Sequence, residues 1–209
     1  MNNQRKGKFI TIEGAERVGK STYARMLNDY LVSQERFDFF FTREPGGTEI
    51  AERIREIILD KKYLGIISRH TEALLYAAAR AQHIDEKILP ALKEGKTVFC
   101  DRYIHSSYAY QGYARELGID YVNKINAYAL EYCMPDAVIF IDLPPEKAYK
   151  RTGGGDRLEN EIPEFHKAVY KGFKDMAGKA ENFYCIEPGK KEETFSKILD
   201  VLKKIKIID

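Results

Sequence analysis

An apolar run from Lys8 to Glu13 passes without a spacer into Gly14-Ala-Glu-Arg-Val-Gly19-Lys20-Ser21, and from Lys20 onward the pattern turns helical. Strand, then G-x-x-x-x-G-K-[ST], then helix is an order that few folds accommodate, because the loop works only when it is pinned between a sheet and a helix N-terminus. The glycines let successive backbone N–H groups turn inward around phosphate oxygens, and the following helix points its positive end at the same anion. In that geometry Lys20 reaches the β- and γ-phosphates and Ser21 ligates magnesium.

The rest of the chain repeats the alternation. Short apolar or β-branched runs at Lys8 to Glu13, Phe37 to Thr42, Thr97 to Asp101, Ala137 to Asp142 and Phe183 to Glu187 read as five strands. Most lack the in/out alternation of a sheet with one wet face, which predicts helices on both faces of a parallel sheet. Helices are expected at Lys20 to Ser33, Thr48 to Leu59, Thr71 to Leu92, Tyr121 to Tyr132, Pro145 to Arg151, Pro163 to Lys179 and Glu192 to Ile205. The last carries Phe195, Ile198, Leu199, Leu202 and Ile205 on one stripe, the mark of a helix packed on a sheet. Together these give an α/β chain, one domain over residues 1–209. The glycine-rich stretch from Arg151 to Arg157 interrupts it as a candidate mobile loop.

With 209 residues and 44% hydrophobic content, the chain suits a single core and is too apolar for a disordered one. A formal net charge of +2 argues against a protein built to neutralise a long phosphate backbone, and no nucleic-acid partner is expected. Cys100, Cys133 and Cys185 are odd in number and widely spaced, so neither a disulfide framework nor a zinc knuckle is expected. The polar start and the lack of any run near 20 apolar residues predict a cytoplasmic protein without a membrane partner.

Three classes share the cradle: switch GTPases, motor or transport ATPases, and small kinases. A guanine reader would need Asn/Thr-Lys-x-Asp, whereas Asn123-Lys124-Ile125-Asn126 ends in Asn and lies in a predicted helix. Asp101 and Asp142 both end strands, and Asp101 is the better magnesium carboxylate because Arg102 follows it at a sheet's ligand-collecting end. Transfer between two anionic nucleotides needs many cations, and Arg17, Arg43, Arg55, Arg80, Arg102, Arg151 and Arg157 are spread over sheet-end turns, a helix and the glycine loop. Tyr76 and Arg80 stand at i and i+4, so an aromatic plane and a cation can meet a nucleobase together. His70, His83, His105 and His166 show no metal-ligand spacing.

Taken in order, Phe9-Ile-Thr-Ile-Glu13-Gly14, Arg43-Glu-Pro-Gly-Gly-Thr48, Leu74-Leu75 through Arg80 to His83, Asp101-Arg102-Tyr103, Ser107-Tyr-Ala-Tyr-Gln111-Gly112, Asp142-Leu-Pro-Pro-Glu146 and Asp156-Arg157-Leu-Glu159 resemble the thymidylate kinase family. The resemblance implies a three-layer P-loop kinase fold with a five-stranded parallel sheet, a homodimer, and the reaction ATP + dTMP to ADP + dTDP with Mg2+ as cofactor. It implies ATP on Gly14, Ala15, Glu16, Arg17, Val18, Gly19, Lys20, Ser21 and Thr22, with Arg151 from a lid near residues 151–159. For dTMP it implies Glu16 on the deoxyribose hydroxyl and Arg55 and Arg102 on the acceptor phosphate. Tyr76 would stack on thymine, Arg80 would reach a thymine carbonyl, Gln111 would meet the base edge, and Pro45 and Ser107 would line the pocket. Ser21 and Asp101 would hold the metal. Catalysis would fall to Arg17, Lys20, Asp101, Arg102 and Arg157. An arginine inside the P-loop and one in the lid usually belong to different subtypes; here Arg17 is expected on the transferring phosphoryl and Arg157 closing the lid. A kinase of another nucleoside monophosphate or a deoxynucleoside kinase, and a catalytically silent nucleotide-binding scaffold, are the rivals.

Overall fold

A computed structural model of the chain describes residues 6–149 and 155–209. Its centre is a five-stranded, all-parallel sheet ordered β2-β3-β1-β4-β5, built from β1 (Phe9–Glu13), β2 (Phe39–Arg43), β3 (Thr97–Asp101), β4 (Ala137–Ile141) and β5 (Phe183–Ile186). Every residue of β1 and β4 is buried. The pleat explains how: Ile10 and Ile12 of β1 with Ile139 and Ile141 of β4 enter one core, while Phe9, Val138 and Phe140 point into the opposite face. Both faces are therefore apolar, and each buried isoleucine contributes roughly 1.5–3 kcal/mol relative to leaving it exposed.

Helices α1 (Lys20–Ser33) and α10 (Lys191–Lys204) cover the first face, placing Leu27, Leu31, Ile198 and Leu202 against those isoleucines. The other face is covered by α3 (Arg69–His83), α4 (Leu89–Lys93), α7 (Ala127–Tyr132) and α9 (Pro163–Ala177). α2 (Glu49–Leu59) is opened by Thr48, whose hydroxyl accepts from Ala51 N, and packs on α3. α3 runs into α4 through one wide turn at Ile84–Ile88, so the expected single helix over 71–92 holds, with that turn inside it. The remaining helices are α5 (Ile104–Ser107), α6 (Ile119–Ile125) and α8 (Pro145–Ala148), with a wide helical stretch Tyr108–Ala114 continuing α5.

Three expectations need correction. The edge strand starts at Phe39 and not Phe37, because pairing begins with Phe39 opposite Thr97 and leaves the Phe37 ring 73% exposed. The predicted helix 121–132 is two helices, parted at Asn126, whose amide turns back to Val122 O. The helical stretch 104–114 was not expected, since its tyrosines hide the 3.6-residue period. Its small residues explain it: Gly172 of α9 comes so close that an added Cβ would lie 3.1 Å from Ala109 Cα. Arg151, Thr152, Gly153 and Gly154 of the expected lid lie outside the described residues, while Asp156 to Glu159 form a turn.

After β1 the chain crosses towards β2, and after β3 it crosses to β4, so the direction of winding reverses between β1 and β3. Ligands of such sheets collect in the crevice beyond the carboxyl ends at this point.

Candidate active site

The loop after β1 and the turn after β3 bound a cleft of about 500 Å³. Gly14 (φ 149°) has no space for a side chain, since a Cβ would stand 2.9 Å from Val18 Cγ2 and 3.0 Å from Ile141 O. Gly19 (φ 99°) sits at the start of α1 and leaves its first N–H groups without a side-chain cap. Ala15 and Val18 are buried packing residues, whereas Glu16, Arg17, Gly19, Lys20, Ser21 and Thr22 line the cleft.

Lys20 folds back on its own loop, donating to Gly14 O at 3.1 Å and Ala15 O at 2.7 Å. Burial, followed by the nearby Arg102 charge, lowers its pKa to about 8 against the pull of Glu16, Asp101 and Glu13. Ser21 Oγ donates to Asp101 Oδ2 at 2.6 Å, while Asp101 Oδ1 is buried with no partner. A hydroxyl facing a carboxylate that still has an unspent oxygen is a donor set that suits a hard divalent cation such as magnesium.

Arg102 takes a left-handed backbone (φ 69°), a conformation that costs a non-glycine residue on the order of 1 kcal/mol. The bend aims its guanidinium across the cleft. Nη1 donates to Gly14 O at 3.0 Å and Ser106 Oγ at 3.2 Å, and Nη2 lies 2.8 Å from Glu16 Oε1. The same Glu16 oxygen accepts from Tyr110 OH at 2.8 Å. Burial alone would raise the Glu16 carboxyl, but the Arg102 and Lys20 charges outweigh it and bring the pKa to about 2.

On the opposite wall, Arg55 Nη1 donates to Pro45 O at 2.8 Å, and Arg43 grips both oxygens of Glu52 at 2.9 Å. Arg55, Pro45, Tyr76, Ser107 and Gln111 line the cleft with the loop. Arg80 stands just behind them. It is 2% exposed, with Nε on Glu44 Oε2 at 2.8 Å and Nη1 on Ser107 Oγ at 3.0 Å and Asn126 Oδ1 at 2.6 Å. His83 supports the same carboxylate, its Nδ1 at 3.1 Å from Glu44 Oε1 and its Nε2 at 2.6 Å from Thr42 Oγ1.

The two arginines expected to compete for the phosphoryl are placed differently. Arg17, at φ 61° within the loop, sets Nε and Nη2 on Glu159 Oε2 at 3.1 and 2.9 Å and lies 5.0 Å above the Tyr149 ring. Arg157 does not face the loop at all: it is buried, with Nε on Ile58 O at 2.6 Å and Nη2 on Glu72 Oε2 at 2.7 Å. Its guanidinium bridges α2 and α3, so in this conformation the expected lid-closing arginine is a buried strut. Arg151 lies outside the described residues.

Sequence reasoning passed over Glu13, Glu44, Glu72 and Glu159. The first three are buried carboxylates; for Glu13 and Glu72 the available signal was a charge at a position that the apolar period assigns to the core, whereas Glu44 sits in the turn after β2 and carries no such signal. Glu13 accepts from Tyr103 N at 2.8 Å and Ser106 Oγ at 2.7 Å, fixing the start of α5 to the end of β1. Burial raises its pKa to about 7, the hydrogen bonds of Ser106 and Tyr103 and the Arg102 charge offsetting only part of that. A carboxyl raised in the folded state contributes most below its unfolded pKa near 4.5, and that contribution is lost as pH rises through about 7. Glu13→Gln is therefore expected to flatten the fall in melting temperature between pH 5 and 8, removing a pH-dependent term on the order of 3 kcal/mol. Thermal denaturation across that range checks it, and an unchanged slope would be the contrary result.

A phosphate cradle at the switch point of a parallel sheet, a Ser-Asp pair beside it and an arginine-rich opposite wall define a P-loop kinase. The family model described as thymidylate kinase matches residues 12–198. The thymidylate kinase of Finegoldia magna is 46% identical over 204 residues, covering 96% of this chain and 100% of the relative. That of Thermoanaerobacter pseudethanolicus is 45% identical over 203 residues, covering 95% and 98%. That of Bacillus velezensis is 47% identical over 212 residues, covering 96% and 99%. The chain belongs to the thymidylate kinase family.

Proposed function

We propose that the cleft moves the γ-phosphoryl of ATP to the phosphate of dTMP, giving ADP and dTDP. Membership of the family carries the reaction: the chain is an ATP-dependent kinase that phosphorylates dTMP. The observation that supports this cleft as the place is the meeting, within it, of Lys20 and the Ser21–Asp101 pair on one side with Arg55, Arg102 and Tyr76 on the other.

ATP lies along the loop, where Lys20 exchanges the Gly14 and Ala15 carbonyls for phosphate oxygens and Arg17 neutralises charge on the group in flight. Ser21 and Asp101 hold magnesium, which supplies charge neutralisation at the phosphates. dTMP lies opposite, with its phosphate on Arg55 and Arg102 and thymine on the Tyr76 ring. Arg80 donates to a base carbonyl, and Ser107, which accepts from Arg80, closes the pocket beside Pro45. Glu16 spends one oxygen on Arg102 and Tyr110 and offers the other to the deoxyribose hydroxyl. The acceptor phosphate already carries an ionised oxygen, so alignment and charge neutralisation replace a general base. The chain is read as a single domain over 1–209 with a lid segment near 151–159, in which Arg157 serves as the fixed end.

A coupled ADP-release assay with dTMP, dUMP, UMP, dCMP, AMP and thymidine tests the acceptor. dTMP is expected to give the highest kcat/KM; preference for another monophosphate would remove the base-pocket roles, and no turnover would leave a nucleotide-binding scaffold. Ile50 and Ile57 of α2 and Leu74 of α3 are 54%, 46% and 51% exposed, which supports a homodimer through this helix pair. Sedimentation equilibrium at micromolar protein decides it, a monomer being the contrary outcome. The free thiols of Cys100 and Cys185 support a cytoplasmic, reducing location, which fractionation would check.

A further inference from the structure

Glu72, in the first turn of α3, is 1% exposed and gathers hydrogen bonds from three residues that lie 39, 43 and 85 positions further along the chain. Gln111 Nε2 donates to Glu72 Oε1 at 3.0 Å, and Arg115 reaches both oxygens, Nε to Oε1 at 3.2 Å and Nη2 to Oε2 at 3.0 Å. Arg157 Nη2 adds a bond to Oε2 at 2.7 Å. Burial by itself would raise the Glu72 carboxyl, yet its bonds with Arg115 and Gln111 and the Arg157 charge outweigh that and hold it below the usual carboxylate range. Glu72 is therefore ionised, and an ionised carboxylate can only accept.

That fact decides which way the neighbouring amide points. A glutamine side chain carries a donor end and an acceptor end, and only the donor end can face Glu72. Gln111 lines the cleft, and one N–H held by Glu72 fixes its amide plane, so that the carbonyl oxygen at the opposite corner is the acceptor it presents to a nucleobase. A carbonyl oxygen accepts from a ring N–H such as N3–H of thymine. It faces a lone pair when it meets N3 of cytosine. Arg80, which can only donate, has the matching preference at the adjacent ring position, for a carbonyl oxygen and against an amino group.

We propose that Glu72 is a specificity-determining residue that acts through Gln111, fixing the amide so that the pocket accepts a pyrimidine with a protonated ring nitrogen and rejects one with an amino-pyrimidine edge. This rests on the reading of Gln111 as the base-edge amide. The Glu72→Gln variant has a direct consequence. Arg115 Nη2 and Arg157 Nη2 both claim the oxygen at the Oε2 position, which leaves the new NH2 group facing Gln111 at the cost of the longer Arg115 Nε bond to Oε1. Gln111 then turns its own carbonyl towards residue 72 and its NH2 towards the base, reversing the pocket's preference at that point.

The probes are dTMP and 5-methyl-dCMP, which share the ring methyl, sugar and phosphate and differ only along the edge in question. The wild-type protein is expected to favour dTMP by about 10³ or more in kcat/KM, the scale on which a site built around a hydrogen bond rejects a mismatched partner. In Glu72→Gln that ratio is expected to narrow by about 30-fold or more, through both a higher KM for dTMP and a gain for 5-methyl-dCMP. Glu72→Asp keeps an acceptor-only group and is expected to restore most of the preference, which a merely structural role would not produce. A folded Glu72→Gln variant that keeps the wild-type ratio within about 3-fold overturns the role of Glu72 alone. A wild-type protein indifferent to the two probes overturns the base-edge reading of Gln111 and this proposal together. Should both variants fail to fold, hydrogen exchange of the Gln111 side-chain amide in the ligand-free wild type decides: slow exchange without dTMP supports the bond to Glu72, and fast exchange that slows only when dTMP is added overturns it.

Discussion

Lys20→Ala is expected to lower kcat/KM for ATP on the order of 10³-fold while leaving the circular dichroism spectrum unchanged. The size follows from where the ammonium stands: it is 6% exposed, at the first turn of α1 beside its uncapped N–H groups, and is the one lysine among the described residues that line the cleft. The small structural cost follows from its present partners. Gly14 O keeps a bond from Arg102 Nη1 when the lysine goes, so only Ala15 O loses its donor, and a melt should shift by no more than about 2 kcal/mol of stability. The lowered lysine pKa adds a second expectation. Below about pH 8 the ammonium is present before ATP arrives, and above it the ligand-free loop holds a neutral amine, so ATP affinity should fall as pH rises through 8. An affinity flat from pH 7 to 9.5, or a variant with wild-type turnover, would remove Lys20 from the phosphate site.

The second expected result concerns the two arginines that sequence alone could not separate. Arg17→Gly should cost about 10³-fold in kcat, and the backbone makes this a clean experiment. Arg17 already holds φ 61°, a conformation glycine adopts without strain, so the loop keeps its shape and the loss reports the guanidinium. Arg157→Ala should act on stability instead. It strips Ile58 O and Glu72 of a buried donor, and breaking a buried pair of this kind costs about 3 kcal/mol, while the rate per folded molecule stays within about tenfold of wild type. Chemical denaturation and single-turnover kinetics measured on the same preparations separate the two effects. The assignment fails if Arg157→Ala abolishes turnover in a fully folded protein while Arg17→Gly turns over normally.

Sheet and cradle were legible in the sequence because their signals are local. A buried parallel strand needs an unbroken apolar run, and the phosphate loop needs its glycines at fixed offsets, so Phe9–Glu13, Thr97–Asp101 and Gly14 to Ser21 could be read without knowing what packs on them. Phe37 misled because an aromatic next to a strand resembles a strand residue until pairing shows that Thr97 meets Phe39. The carboxylates Glu13, Glu44 and Glu72 could not be read in the same way. Each has partners 36 to 93 residues away, and a sequence displays the charge while the partners that tolerate it come from the fold. Arg157 is the same case reversed: a glycine-rich setting suggested a mobile cation, and the partner that immobilises it is contributed by α3.

In the proposed arrangement Glu16 belongs to the loop that takes ATP, while its carboxylate is tied to Tyr110 and to Arg102, the arginine assigned to the acceptor phosphate. That shared carboxylate joins the two half-sites, so occupying one is expected to alter the free energy of occupying the other. Such linkage is reciprocal: whatever factor ATP applies to the dissociation constant of dTMP, dTMP applies to that of ATP. A thermodynamic box measured by calorimetry should close with one coupling constant, and Glu16→Ala should bring that constant towards unity, turning a concerted pair of sites into two independent ones.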